Sequence, residues 1–278
     1  MKVISVSDRF SSHPEEKVIT ISRVSSANCP FSYFKSYIEK PKPKPPFETI
    51  EIGIGSFFHS YVENIFKIIS SEDRSIADSD IIDIDELVSD FKLAFIWDSK
   101  LIKPYKIIKN NTNIEYYITR LIGFGKNFNK FLKNSLVNHT VFDVEGDLEI
   151  ETEKYIIRGK YDLTTKNPNG DLILWDWKTG QAPNPRYIKD LKVKKLQLGI
   201  YAIWMAHKYP ENKIRGTVVF LRGELAQLTE VFSESIEQEV LTYLFKWREK
   251  INKLEKYIPM KSGLCPWCAW KSTCPAWK

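Results

Sequence analysis

The sequence predicts an α/β protein in which a helical block is followed by a group of strands. Apolar residues recur at intervals near 3.6 within residues 55–136, which is the spacing of amphipathic helices. From residue 139 onwards, short runs rich in β-branched and aromatic residues are separated by turn residues, a pattern typical of strands. A helical pattern over residues 190–207 interrupts those strands, so we expect a sheet with helices packed against it.

Each element follows from its local pattern. Residues 1–22 are a polar lead-in with a short strand at 17–21, and capping residues over 22–30 predict the start of a short helix through Phe31–Tyr37. The prolines of residues 40–46 exclude a helix or central strand and predict a stiff, basic connector. The other helices are predicted at 55–69, 83–97, 113–136, 190–207 and 235–256, and the other strands at 141–152, 154–165, 172–177, 216–221 and 225–232.

Composition places the chain among ordinary globular proteins. Of its 278 residues, 43% are hydrophobic and 27% are charged, and 41 Lys and Arg against 35 Asp and Glu give a formal charge of +6. Mild basicity is compatible with a polyanionic partner but does not demand one. Because neither a signal-peptide core nor a membrane-length apolar run is present, we expect a cytoplasmic protein without a membrane partner.

The strand at residues 172–177 leads into two charged side chains. Asp176 and Lys178 are two residues apart, so they point to the same face of a strand. Turn residues before this strand predict a hairpin, in which a five-residue loop at 167–171 sets Asp162 opposite Asp176. A four-residue loop would shift that pairing by one residue.

Two facing carboxylates favour a cation between them, and their oxygen atoms suit Mg²⁺ or Mn²⁺. Such a cation acidifies a bound water, and a nearby lysine can orient that water, help to deprotonate it, or stabilise charge on a phosphate. The set of Asp162, Asp176 and Lys178 therefore suits phosphodiester hydrolysis. The alternative is an exposed ion pair of Asp176 and Lys178 that contributes little.

Other polar side chains on predicted helices could complete this site. His59 and Glu63 are four residues apart on one helix face, where the imidazole is a candidate third ligand and Glu63 a candidate supporting group. Gln197 and Tyr201 also share a helix face and could bond a phosphate or a carboxylate. The alternatives are a packed histidine, a solvated glutamate and a polar helix edge.

The four cysteines suggest a second metal centre. Cys265, Cys268 and Cys274 form a C-x2-C-x5-C cluster, and Cys29 lies near the other end of the chain. In a reducing compartment such a set favours metal binding over disulfides. Four thiolates suit zinc or an iron–sulfur cluster, and the spacing does not choose between them. Either centre would clamp the two ends together; the alternative is four unconnected thiols.

In order and approximate spacing, the central motifs resemble the RecB-like branch of the PD-(D/E)XK nucleases. The motifs are Gly55-x3-His59, Gly159-Lys160-Tyr161-Asp162, Asp176-Trp177-Lys178-Thr179-Gly180 and Gln197-x3-Tyr201. The cysteine arrangement is similar to that of iron–sulfur members, which include CRISPR-associated RecB-like exonucleases and the nuclease domains of AddB-type helicase–nucleases. No Walker A sequence is present, which excludes a motor of its own for this chain.

The resemblance implies a fold, an activity and a set of site residues. The fold would be a restriction-endonuclease-like core, with a mixed central sheet flanked by helices, an inserted helical block and an iron–sulfur clamp joining the termini. The activity would be DNA cleavage, often of single strands from an end, in which water attacks phosphorus in line and the 3′ oxygen leaves. His59, Asp162 and Asp176 would bind Mg²⁺ or Mn²⁺, Lys178 would be the catalytic lysine, Gln197 and Tyr201 would be accessory residues, and Cys29, Cys265, Cys268 and Cys274 would hold a structural 4Fe-4S cluster.

We expect one domain over residues 1–278, with a helical block at 55–136, a nuclease core at 139–232 and a cysteine lobe formed by residue 29 and residues 257–278. Protein partners in CRISPR adaptation or repair are consistent with the resemblance. Two other functions stay open: a nucleic-acid-binding or adaptor protein without useful catalysis, and a zinc-clamped structural protein. The complete set of two carboxylates and a lysine argues against the adaptor, because a binding module does not need carboxylates near a phosphate.

Overall fold

The computed structural model describes residues 2–5, 17–40, 50–101, 114–183, 188–263, 265 and 268–277. Two stretches named from the sequence lie outside the described residues. They are most of the predicted lead-in and the Lys-Pro connector apart from Lys40.

Strands and helices follow one another along the whole described chain. The strands are β1 (Lys2–Ser5), β2 (Val18–Thr20), β3 (Thr140–Glu151), β4 (Ile156–Lys166), β5 (Leu172–Gln181), β6 (Ile214–Arg222) and β7 (Ala226–Val231). The helices are α1 (Ile21–Ser26), α2 (Pro30–Tyr33), α3 (Ile50–Ser71), α4 (Ile84–Leu101), α5 (Ile114–Ser135), α6 (Ile188–Lys208) and α7 (Glu234–Asn252). A π-helical segment, Phe34–Glu39, follows α2. Among the described helices, none has both the length and the apolarity to span a membrane.

Strands β2 to β7 and helices α3 to α7 each correspond to a predicted element, with bounds shifted at their ends. The short helix predicted through Phe31–Tyr37 is present as α2 and the π-helical segment that follows it, and Pro30 opens α2 as its first residue. Helix α1 was not predicted. Strand β1 was not predicted, because four residues give too short a pattern and the strand is defined by its distant partner, β3.

The chain forms two compact units. The terminal unit comprises Met1–Pro46, Asp147–Gly159 and Ser233–Lys278, and the core unit comprises Phe47–Gly146 and Lys160–Phe232. The predicted helical block lies in the core unit, and all four cysteines lie in the terminal unit.

Among the described residues, seven strands are hydrogen-bonded in the order β1-β3-β4-β5-β6-β7, with β2 beside β4. Strands β4 and β5 are antiparallel, whereas β5 and β6 are parallel, so the sheet is mixed. Helix α6 supplies the crossover that two parallel neighbours require. The predicted mixed α/β fold, a central sheet with helices, is therefore confirmed.

Strand β5 carries two buried tryptophans into the core of the core unit. Trp177 is 1% exposed, and its ring centre lies 5.7 Å from those of both Phe66 in α3 and Phe128 in α5. Trp175 packs on Phe131 of α5 at 5.2 Å. Truncating a fully buried tryptophan costs about 3–5 kcal/mol, so this packing holds β5 firmly in place.

A buried histidine precedes β3 in the core unit. His139 is 8% exposed, and its Nδ1 lies 2.9 Å from the Thr165 hydroxyl, which also accepts a hydrogen bond from the Trp175 indole at 2.8 Å. Because the Thr165 oxygen accepts from the indole, its own proton is available for Nδ1 of a neutral His139. Burial lowers the pKa of His139 below its ordinary value.

We expect His139 to make the protein less stable in acid. Its pKa is lowered on folding, so the unfolded chain binds more protons below the ordinary value of 6.5. Stability is therefore fully present above about pH 6.5 and is lost as the pH falls towards the folded-state pKa. Urea denaturation at about pH 7.5 and 5.5 should show a smaller loss for His139→Gln than for wild type. The exposed His207→Gln is the control, and equal losses in both variants would contradict the assignment.

Candidate active site

The hairpin of β4 and β5 sets two aspartates side by side in the core unit. Its strand pairs run from Lys166↔Leu172 to Leu163↔Trp175. Residues 167–171 thus form the loop, and one further step in this register would set Asp162 opposite Asp176. The five-residue loop is therefore confirmed over the four-residue alternative.

The loop itself explains the register. The side-chain oxygen of Asn167 accepts hydrogen bonds from the backbone N–H groups of Asn169 at 3.0 Å and Asp171 at 2.9 Å. Gly170 adopts a φ of +86°, a region that side chains with a Cβ rarely occupy. Asparagine and glycine at these positions therefore specify this turn, and with it the pairing of the two strands.

Strand β5 pairs regularly with β6 as far as the candidate catalytic residues Asp176 and Lys178, and irregularly after them. Its pairs with β6 run without a break from Leu172 to Lys178, and the register shifts before Gln181. Irregularities of this kind often end regular pairing next to functional sites. The prediction that the strand ends at Trp177 is wrong, because Lys178 still pairs with Phe220.

Asp162 connects β4 to α3 and β5. Its Oδ1 lies 3.3 Å from Nδ1 of His59, and its Oδ2 accepts the backbone N–H of Trp177 at 2.8 Å. Gly55, one turn before His59, permits this approach, because a Cβ at that position would lie 3.0 Å from the Thr179 hydroxyl. The spacing Gly55-x3-His59 thus has a physical basis in the packing of α3 on β5.

Asp176 is the centre of a buried hydrogen-bond network, and it is 3% exposed. Its Oδ1 accepts from Lys178 Nζ at 2.8 Å, Gln197 Nε2 at 3.2 Å and the Tyr201 hydroxyl at 3.1 Å. Its Oδ2 lies 2.7 Å from Lys178 Nζ but makes no hydrogen bond. The Tyr201 hydroxyl accepts from Gln197 at 2.5 Å and can alternatively give its one proton to the Lys160 carbonyl at 2.6 Å.

Burial governs the electrostatics of this network. It raises the pKa of Asp176, and the nearby charge of Asp162 raises it further, while Lys178 acts in the opposite direction. Burial alone would lower the pKa of Lys178, but the carboxylates of Asp176 and Asp162 outweigh it and raise that pKa. Burial, and then Asp176, hold the pKa of Tyr201 well above its ordinary range. The site therefore combines carboxylates, an ammonium and a protonated phenol.

The donor chemistry of this site suits a hard divalent cation. Asp176 Oδ2 is buried with the Lys178 ammonium 2.7 Å away, and Asp162 Oδ1 faces the same side chain, His59, that the resemblance assigns as a ligand. A cation would also relieve the repulsion between the two carboxylates. No three His, Cys, Asp or Glu side chains in the described part of the chain lie close enough together to hold a metal ion. The donors would therefore have to move closer together on binding.

A third carboxylate at this site was missed from the sequence. Glu145 in β3 adopts a φ of +46°, and its pKa is raised by burial, by Glu63 and by Asp162. Glu63 also pairs with Lys67 one turn further along α3. Nothing in the local pattern marks Glu145, because its place depends on an irregular backbone and on pairing between distant strands.

All four cysteines line one small cavity of the terminal unit. The N–H of Met260 donates to Cys29 Sγ at 3.4 Å, and that of Ser262 to Cys265 Sγ at 3.1 Å. The second bond lowers the pKa of Cys265, which favours its thiolate. The cavity volume is about 20 Å³, room for roughly one water molecule. The thiols offer suitable donors, but this cavity would have to widen to admit four irons and four sulfides.

Hydrogen bonds between protein groups also join distant parts of the terminal unit. The Trp270 indole donates to the Ser36 hydroxyl at 2.8 Å, and the Arg248 guanidinium donates to the Tyr33 hydroxyl. The early and late segments of the chain are therefore in contact through ordinary packing as well as through the cysteine cavity.

A mixed sheet with paired aspartates and a lysine two residues after the second defines a class of metal-dependent nucleases. The chain belongs to the PD-(D/E)XK nuclease superfamily, whose family model matches residues 20–275. The resemblance to its RecB-like branch is confirmed by two relatives, each named as a subunit of an ATP-dependent helicase/deoxyribonuclease. The one from Alkaliphilus oremlandii (strain OhILAs) is 27% identical over 183 residues, and the one from Alkaliphilus metalliredigens (strain QYMF) is 26% identical over 184.

Each match spans 55% of this chain but only 15% of the relative. Among solved structures, a provisionally named exonuclease from Eubacterium rectale is 10% identical, with a TM-score of 0.46 over 86% of this chain and 81% of that one. A likeness of that degree adds nothing to the assignment.

Replacing Asp176 and Lys178 together should cost little stability. Substituting neutral residues for a buried ion pair is often neutral or stabilising, whereas removing one partner leaves the other charge uncompensated. In chemical denaturation at neutral pH, Asp176→Asn/Lys178→Met should match wild type or exceed it by about 1 kcal/mol, and Asp176→Asn alone should be less stable than both.

The control is the pair of exposed Lys195 and half-buried Glu230, whose charged atoms lie 3.4 Å apart. Its replacement by Lys195→Met/Glu230→Gln should change stability by no more than about 0.5 kcal/mol. A double variant at the active site that is less stable than Asp176→Asn would show that the pair itself stabilises the fold.

Proposed function

We propose that this protein is a metal-dependent DNA exonuclease that hydrolyses phosphodiester bonds at single-stranded ends. The observation that carries the proposal is the buried Asp176 network, where a carboxylate and an ammonium lie beside a second carboxylate. Membership of a nuclease superfamily supports hydrolysis, and relatives named as deoxyribonuclease subunits support DNA as the substrate. Exonuclease action and a preference for single strands rest on the family resemblance alone.

In this proposal His59, Asp162 and Asp176 hold the divalent cation. When bound, Mg²⁺ or Mn²⁺ acidifies a water and neutralises charge on the scissile phosphate. Lys178 extends its ammonium from the same strand face as Asp176 and supplies positive charge to the phosphate oxygens.

Gln197 and Tyr201 act on Asp176 in this proposal. Gln197 donates to Asp176 Oδ1 at 3.2 Å. The Tyr201 hydroxyl, 3.1 Å from the same oxygen, donates to it when its proton does not go to the Lys160 carbonyl, so both side chains fix the carboxylate through Oδ1. Groups that orient a metal ligand in this way contribute to metal affinity without touching the metal. In this proposal the accessory role of Gln197 and Tyr201, which share one face of α6, is to orient Asp176.

The adaptor alternative explains the network less well. Burying a carboxylate costs free energy that a protein recovers only through partners or function. A module that merely bound nucleic acid would gain nothing from a carboxylate that repels phosphate, so retention of Asp176 at 3% exposure favours catalysis. Because the relatives are subunits of larger enzymes, we also infer a protein partner, in DNA repair or in CRISPR adaptation.

Alanine substitutions at the site should greatly slow or abolish cleavage. Lys178→Ala should lower the rate by about 100- to 1,000-fold, since a positioned charge that stabilises the transition state is lost. Asp176→Ala should remove activity, together with Mn²⁺ binding in calorimetry. The exposed Lys213→Ala is the matched control and should keep the wild-type rate.

Cleavage should be measured on end-labelled linear and on circular DNA, single- and double-stranded, with and without Mn²⁺. An exonuclease degrades the linear strands and spares the circles. Wild-type inactivity on every substrate, or full activity of Lys178→Ala, would overturn the proposal. Mn²⁺ affinity that does not depend on Asp162 and Asp176 would instead favour the adaptor.

We further propose that the four cysteines hold a 4Fe-4S cluster with a structural role. Anaerobically purified protein should be brown, with broad absorption near roughly 400 nm from thiolate-ligated iron. Cys268→Ala should remove the colour and lower the thermal midpoint. Colourless protein with one zinc per chain would contradict the cluster and favour the zinc clamp. Metal analysis of the purified protein separates these outcomes.

A further inference from the structure

A second cavity of the terminal unit has no part in the hydrolysis proposed above. Its volume is about 530 Å³, within the span of roughly 300–1,000 Å³ that small-molecule sites usually occupy. Arg23, Lys40 and Arg248 line it, and its lining in the described part of the chain includes no Asp or Glu. Three cationic side chains are therefore among the described lining residues.

Two of these cations are held in place by neighbouring groups. Arg23 is 8% exposed, donates to the Val18 carbonyl at 3.0 Å, and has its guanidinium 5.1 Å from the ring centre of Tyr37. Arg248 is 3% exposed and donates to the Tyr33 hydroxyl. A guanidinium fixed in this way loses little entropy when it binds an anion, and its planar fork matches a phosphate.

Tyrosine rings form much of the remaining wall. The rings of Tyr33 and Tyr37 are 5.3 Å apart, and Tyr257 stacks on Phe34 at 4.8 Å. Tyr37 and Tyr257 are half-buried, so each retains accessible surface. Two isoleucines also line the cavity: Ile38, which is 48% exposed, and the buried Ile251.

We propose that this cavity binds one nucleotide unit of single-stranded nucleic acid. Its phosphate contacts the two arginines and Lys40, and its base lies against Tyr37. An inorganic anion would leave the tyrosines and most of the volume unused, whereas an apolar ligand would offer the three cationic side chains no acceptor. Cationic grooves with aromatic platforms are the usual means of holding unpaired strands. The choice of a nucleotide among aromatic anions rests on the proposed function.

The test measures binding in the absence of cleavage. An oligothymidine of about 12 nucleotides, labelled with fluorescein at its 3′ end, is titrated in EDTA against Lys178→Ala protein. Adding Lys40→Glu should weaken binding about tenfold and reduce the slope of log K against log salt by about one, since one phosphate contact is lost. Tyr37→Leu should weaken binding at least about fivefold through lost stacking.

The matched control is Lys253→Glu, a charge reversal at an exposed residue that follows α7 and is not part of the cavity lining. It should change affinity by less than about twofold. Circular dichroism melting checks that each variant is folded. If Lys40→Glu and Tyr37→Leu bind as tightly as Lys253→Glu, the cavity does not bind the strand and the inference is wrong.

Calorimetry with dTMP distinguishes the source of the ligand. Binding of dTMP that depends on Lys40 and Tyr37 identifies a mononucleotide site, and binding of the oligonucleotide alone identifies a strand site; either supports the cavity. Hydrolysis by the wild-type protein is measured separately. An inactive protein with cavity-dependent binding would defeat only the proposed function, and an active one without such binding would defeat only this inference.

Discussion

The buried charge of Asp176 is the constraint on which the core unit depends. At 3% exposure the carboxylate has lost nearly all contact with water, so the protein must supply its partners. It does so with a lysine from the same strand and with two side chains of α6. Helix α6 is otherwise apolar over residues 196–206, and its two polar side chains at this point fix its position along β5.

Strand β5 serves the core and the site at the same time. The Trp177 ring packs between α3 and α5, while its backbone N–H holds Asp162, and the residues on either side of it carry the buried ion pair. A strand can do both because successive side chains point to opposite faces of the sheet. The precision of the site therefore derives from aromatic packing on the opposite face of the same strand.

The sequence was sufficient where local chemistry decides the structure. Turn residues around Asn167 predicted the hairpin and left two registers open, one of which pairs the two aspartates, and helical spacing placed Gln197 and Tyr201 on one face. Sequence patterns failed to predict the structure where residues distant in the chain determine it. Strand β1 exists through β3, and Glu145 reaches the site from an irregular backbone.

The division of the chain between the two units has a consequence for its synthesis. The core unit is complete in sequence once residue 232 has been made, whereas the terminal unit needs Ser233–Lys278 as well as two earlier segments. Domains tend to fold as they emerge, at about 5–20 residues per second. The residues of the proposed catalytic site can thus assemble on the ribosome before Cys265, Cys268 and Cys274 have been synthesised. The order of translation separates the assembly of the site from the gathering of the thiols.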